Sequence, residues 1–178
     1  MKNEHNQRVA ALSRMLADEG GFREDAALVE ACARLHDIGK MDIAPEILSK
    51  PGKLTDEEFA AVKAHARFGA MRIQNMIRVL EVAEVTALQH HEKWDGDGYE
   101  GLAGEHIHPY ARIIAVADVV DALMSNRVYR AAWSLDETLE YMQAESGKHF
   151  DPQWIAALVR CRAELENMYE SEGNDDER

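Results

Sequence analysis

A carboxylate stands in the middle of the most apolar stretch of this chain. Asp118 interrupts Ile113-Ile114-Ala115-Val116-Ala117 and is followed at once by Val119-Val120. A carboxylate taken into an apolar interior costs several kcal/mol unless it is paired, hydrogen-bonded or metal-bound. No basic residue adjoins Asp118 in sequence, so a metal ion is the economical explanation. Other residues able to bind a transition metal recur along the chain: His5, the pair His36-Asp37, His65, and the pair His90-His91. Most sit in alanine- and leucine-rich surroundings where a solvated side chain would not normally be placed. The chain therefore reads as a metalloenzyme whose fold must gather distant segments around one buried centre.

Helical periodicity dominates and convincing strand alternation is absent, which predicts an all-α bundle. Helices are expected from about Asn6 to Asp18 and from Asp25 to Leu35, the second delivering His36-Asp37 at its end. Lys50-Pro51-Gly52-Lys53 has the residues a type II turn demands. Thr55-Asp56-Glu57-Glu58 is a capping box opening a helix that breaks near His65 and resumes through Gly69 to Val79. Further helices are expected over Glu81–His91 and Ala111–Met124, from Ser134-Leu135-Asp136-Glu137 to Gly147, and from Asp151-Pro152 onward. Between them, Trp94-Asp95-Gly96-Asp97-Gly98-Tyr99-Glu100-Gly101 carries three glycines and two aspartates and reads as a shaped loop.

At 178 residues the chain fits one domain with a sizeable core, expected to span 1–168, with an acidic, disordered tail at 169–178. No stretch approaches the roughly 20 apolar residues of a membrane helix, and the first residues lack a signal-peptide core, so a cytoplasmic protein is expected. Cys32 and Cys161 are the two cysteines and lie far apart in helical patterns, as reduced core residues would. The net charge of −13 leaves no basic face for a nucleic acid polymer. A phosphate-bearing substrate would need a local cluster of cations and metal ions to draw it in.

Imidazole and carboxylate ligands without thiolates suit iron, manganese, zinc, cobalt or nickel. Two ions about 3.5–4 Å apart clamp the attacking and leaving oxygens of a phosphoryl displacement and acidify a bridging water. Each residue also has a bland reading. His65 alone would pass for a satisfied core residue, and His90-His91 for a solvated helix end. Asp95 and Asp97 are common turn formers, and His106, His108 and His149 read as structural or surface residues. The weight lies in the co-occurrence.

His36-Asp37-Ile38-Gly39-Lys40 resembles the HD signature of the HD phosphohydrolase superfamily. His90-His91-Glu92-Lys93-Trp94-Asp95-Gly96-Asp97-Gly98-Tyr99 resembles the second signature of its HD-GYP subfamily. Blocks around Lys50–Thr55, Ala111–Asp118, Ser125–Arg130 and Ser146–Pro152 extend the likeness from His5 to about Leu158. The resemblance implies an HD-type helical bundle with a buried di-metal site that hydrolyses cyclic di-GMP to linear pGpG, in some members on to GMP, by a metal-bridging hydroxide. It implies one ion on His5, His36, Asp37 and Asp118, with Asp37 bridging to a second on His65, His90 and His91. Iron or manganese is favoured. Lys40 would contact the scissile phosphate, Tyr99 would border the substrate, and Arg127 and Arg130 would grip phosphates, for which guanidinium forks are suited. A diguanylate cyclase domain or an upstream sensor or receiver domain is the implied partner. Alternatives are hydrolysis of 3',3'-cyclic GMP-AMP or a nucleoside phosphate, and a signalling module that binds the dinucleotide without cleaving it.

Two departures stand out. The family's Gly-Tyr-Pro, a variable residue and Gly-Leu are here Gly98-Tyr99-Glu100-Gly101-Leu102, one residue shorter and without the proline. Losing the fixed φ of proline is expected to free the loop. Some relatives hold a third ion through a glutamate one turn before the residue matching His5, where this chain has Met1, so two ions and a reaction stopping at the linear dinucleotide are expected. A sequence trimmed from a longer protein would void that last argument.

Overall fold

The computed structural model describes residues 2–76, 81–126 and 131–173. Arg127, Arg130, Met1, the end of the helix expected to reach Val79, and residues 174–178 lie outside the described residues. The helices are α1 (Lys2–Glu19), α2 (Ala26–Leu35), α3 (Pro45–Leu48), α4 (Asp56–Lys63), α5 (His65–Met76), α6 (Glu81–Gln89), α7 (Pro109–Met124), α8 (Leu135–Ala144), α9 (Pro152–Arg160) and α10 (Arg162–Gly173). A 3₁₀ turn covers Ile38–Asp42. Among the described residues there is no strand, only an isolated bridge between Ser146 and Phe150.

The helix starts follow the local chemistry. Thr55 accepts from the Glu58 backbone N–H while the Glu58 carboxylate accepts from the Thr55 N–H, the reciprocal capping expected for α4. Ser134 and Glu137 repeat the arrangement at α8. Asp151 caps α9 just before Pro152, whose missing N–H costs nothing in a first turn. Gly52 has a φ of +110°, as the expected turn requires.

α7 is largely apolar, and a helix of that kind belongs in the interior. Ile113, Ile114, Val116, Ala117 and Val120 are all fully buried, with α1, α2, α6, α8 and α9 packed about α7. Phe22 and Trp154 meet edge to face at one end of this core. The arrangement leaves Asp118 only partly buried, its side chain 19% exposed and within reach of His5 on α1.

The C-terminal part differs from expectation. The helix begun at Pro152 stops at Arg160, Cys161 breaks its geometry, and α10 carries the chain on to Gly173. The tail expected from 169 is thus helical through Gly173. Leu165 is fully buried, and the Tyr169 hydroxyl donates to Asp121 Oδ1 at 3.0 Å. An apolar anchor and a buried acceptor hold a segment that composition alone marks as solvated.

Candidate metal centre

Three helical junctions and two helices, α1 and α7, bring the ligand candidates together. His5 lies in the second turn of α1. His36 and Asp37 end α2, where the chain leaves helical geometry, so adjacent side chains that would point about 100° apart on a helix can converge. His65 opens α5 directly after α4, at the predicted break. His90 and His91 occupy the turn after α6, which ends at Gln89, two residues short of the helix expected to reach His91.

The approach of these junctions depends on glycine. A Cβ at Gly39 would lie 1.9 Å from the His65 carbonyl oxygen and 2.3 Å from the Gly69 nitrogen. Only a residue without a side chain lets the 3₁₀ turn rest on α5, and this contact sets His36-Asp37 beside His65.

Three groups of ligand atoms result, each with all members within 4.8 Å of one another: His5, His36 and Asp118; His36, Asp37 and His90; and His65, His90 and His91. Asp37 lies between them. Its Oδ2 is 3.5 Å from His36 Nε2, and its Oδ1 is 3.3 Å from His65 Nε2 and 4.0 Å from His90 Nε2. Asp118 Oδ1 is 3.3 Å from His5 Nε2 and 3.7 Å from His36 Nε2.

The remaining ring nitrogens are already committed. Nδ1 of His36, His65 and His90 lies 2.6, 2.7 and 2.8 Å from the carbonyls of Ala33, Val62 and Ala87, three residues back in each case. Donation to a carbonyl fixes the tautomer and leaves Nε2 with its lone pair directed into the cluster, as a metal ligand requires. Burial pushes the His91 imidazole down to about 4 and holds His90 well below the usual range, so both stay neutral. Hydrogen bonds to Asp118 and Asp121 raise His5 to about 9. Burial opposes the charge on Asp37, but His36, His65 and Lys40 outweigh it and keep the carboxylate ionised.

Two buried atoms in the cluster, His36 Nε2 and Asp37 Oδ1, have no hydrogen-bond partner. Buried polar atoms are otherwise nearly always satisfied, and a cation is what an imidazole lone pair and a carboxylate oxygen share. The donor set, nitrogen and oxygen without sulfur, fits a divalent transition metal.

Sequence reasoning missed Asp121. It lies one turn beyond Asp118 on α7 and is 1% exposed. Its oxygens accept from His5 Nδ1 at 2.6 Å, Arg8 Nε, the Tyr169 hydroxyl and Ser125 Oγ. The argument applied to Asp118 holds for Asp121 as well, since both interrupt the same apolar run. The imidazoles near Asp118 come from elsewhere in the fold: His5 and His36 flank it.

Lys40 reaches the cluster, where its ammonium contacts Asp37 Oδ2. The Tyr99 ring lies against His91 with centroids 4.8 Å apart. Asp95 accepts from the Asp97 N–H, an Asx turn that supports the bland reading of both. His108 caps α7 and His149 stacks on Phe150, so neither joins the centre.

The loop departs from expectation. Without the proline it is still fixed, because the Glu92 carboxylate accepts from the backbone N–H groups of Glu100 and Leu102, both at 2.6 Å. Arg67 forks onto both oxygens of the Glu100 side chain at 2.8 and 2.7 Å. Trp94 and Asp95 donate their N–H groups to the carbonyls of His149 and Lys148.

A helical bundle that converges histidines and aspartates in this way defines a candidate transition-metal centre. A family model described as HD domain matches residues 1–154. Cyclic di-GMP phosphodiesterase response regulator RpfG of Xanthomonas campestris pv. campestris is 43% identical over 91% of this chain and 44% of its own length. The 3'3'-cGAMP-specific phosphodiesterase 2 of Vibrio cholerae is 39% identical over 87% of this chain and 30% of its own. Among solved structures, Bd1817 of Bdellovibrio bacteriovorus, described as a HDG"Y"P protein, superposes with a TM-score of 0.73 at 26% identity, over 89% of this chain and 51% of that one. The chain belongs to the HD-domain family, within its HD-GYP branch. It spans less than half the length of these curated relatives. No helix among the described residues is long and apolar enough to cross a membrane.

Proposed function

We propose that the chain is a metal-dependent phosphodiesterase that hydrolyses cyclic di-GMP to linear pGpG. The observation that carries this reading is the convergence of His5, His36, His65, His90, His91 and Asp118 on Asp37, with two orphaned ligand atoms in the middle. The names of the relatives support the substrate class.

In this reading two divalent ions, iron or manganese, bind to the centre. His5, His36, Asp37 and Asp118 would hold one, and His65, His90 and His91 would hold the other together with Asp37. Bound there, the ions acidify water and neutralise the charge that develops on phosphoryl oxygens. The chain's own residues do the rest. The fixed Nδ1 bonds keep the imidazoles from turning, so the ligand geometry is set before substrate arrives. Lys40, whose ammonium stands at Asp37, would present its charge to the scissile phosphate. Tyr99 borders the bound dinucleotide, and Arg127 and Arg130 hold its phosphates. The catalytic unit comprises residues 1–168 together with the α10 turn that carries Tyr169. It works in the cytoplasm, and RpfG's designation as a response regulator supports a receiver or sensor domain in the whole protein.

Relatives named for 3'3'-cGAMP support a second reading, cleavage of the mixed dinucleotide by the same centre. Protein loaded anaerobically with iron or manganese and incubated with each dinucleotide, with products separated by chromatography, tests both. The expected result is pGpG from cyclic di-GMP at the higher kcat/KM. Preference for 3',3'-cyclic GMP-AMP would establish the second reading, and binding without turnover under either metal would overturn both in favour of a sensor.

A further inference from the structure

Glu92 directly follows the two histidines and is 2% exposed. A carboxylate so buried needs partners, and the two it has are both backbone N–H groups of one loop, those of Glu100 and Leu102. Gly98 completes the contact from the other side: a Cβ there would lie 2.6 Å from the Glu92 Cα and 2.8 Å from the Lys93 nitrogen. The loop is therefore laid directly on the residue that follows His91. Tyr99 lies between these attachment points. Its ring is held between His91, with centroids 4.8 Å apart, and the Lys63 ammonium, 4.6 Å over the ring.

We propose that Glu92 is a positioning residue that latches the loop so that Tyr99 is held beside the metal centre as a substrate-facing wall. The latch explains how the chain does without proline. The Glu92 Oε1 partner is the N–H of the residue after the tyrosine, and a proline at that position has no N–H to give. A loop with proline there is held by a fixed φ; this one is held by hydrogen bonds to a charged acceptor, which are the stronger kind. The Arg67 fork on the Glu100 side chain, possible only because residue 100 has a carboxylate, closes the loop on its outer side. Glu92 is not a member of the ligand groups and acts through Tyr99.

The proposal rests on the reading of the centre as a cyclic dinucleotide phosphodiesterase, so its test has two independent readouts on the full chain. Kinetics on cyclic di-GMP are measured for metal-replete wild type, Glu92→Ala, Tyr99→Ala, the double variant and Glu100→Pro, with bound metal determined for each. Glu92→Ala is expected to raise KM about tenfold through misplacement of Tyr99, with kcat changed far less. Bound metal should not change, and in the Tyr99→Ala background the same substitution should add little. Glu100→Pro, which removes one N–H and the Arg67 fork, should reproduce part of the effect. The second readout needs no substrate: nitration of Tyr99 by tetranitromethane, located by peptide mass spectrometry, should accelerate in Glu92→Ala and Glu100→Pro. An equal KM penalty with and without Tyr99, loss of metal in Glu92→Ala, or unchanged Tyr99 nitration would overturn the proposal. Where Glu92→Ala does not fold, Glu100→Pro decides by the same criteria. Absence of turnover in the wild type would count against the functional reading alone, and the nitration result would still decide the role of Glu92.

Discussion

Replacing Gly39 by alanine separates two physical expectations by sign. Gly39 is not among the glycines with positive φ. At a site with room for a methyl group, Gly→Ala stabilises by about 0.4–1 kcal/mol, because the unfolded chain loses freedom. Here the added Cβ would meet the His65 carbonyl at 1.9 Å and the Gly69 nitrogen at 2.3 Å, both backbone atoms that no rotamer change can move. Restoring ordinary contact requires the 3₁₀ turn and α5 to part by about 1.5 Å. Overpacking of that kind costs about 1–3 kcal/mol, or roughly 2–12 °C in Tm for a chain of this length. The separation falls between Asp37 and His65, whose facing atoms are 3.3 Å apart. A displacement of about 1 Å there should lower turnover on the order of 100-fold. Thermal melting followed by circular dichroism, bound-metal analysis and the pGpG assay on one preparation would measure all three. Gly69→Ala is the graded control, since its Cβ would lie 3.3 Å from the Gly39 nitrogen and calls for a much smaller shift. A Gly39→Ala protein with an unchanged or higher Tm and full metal would refute the reasoning, because it would mean that the crossing does not set the site.

Asp37→Ala should lose bound metal and turnover together, measured on the same samples; activity with metal retained would sink its bridging role. Asp121→Ala should weaken metal binding about 10–100-fold by releasing His5, in line with losses on removing a partner of a metal-bound histidine, and chelator competition would read it. Ser134→Ala removes a cap far from the centre and should cost about 1 kcal/mol in urea unfolding without altering kcat/KM. Burial pushes the Cys32 and Cys161 thiols up to about 11, so both stay protonated at pH 8.5. Iodoacetamide should leave the folded protein unlabelled and alkylate both thiols in guanidinium.

The part of this protein that is written in the chain is local. Period and caps give the helices, because Thr55–Glu58 and Ser134–Glu137 close their capping contacts within four residues. The His36-Asp37 and His90-His91 pairs announce themselves by type and order, and the apolar run of α7 marks its carboxylates, of which Asp121 is buried and Asp118 partly so. What only the tertiary structure decided is relational. His5 meets Asp121 across 116 positions, and Gly39 reaches α5 through a contact that no pattern of residues encodes. The missing proline suggested a loose loop, since φ is a local property, yet the loop is held by Glu92 and Arg67, which lie 8 and 33 positions from Glu100. Residue type determines which atoms can bind an ion. Packing alone determines which of those atoms stand within 4.8 Å of one another, because close approach depends on every side chain that the backbone must pass.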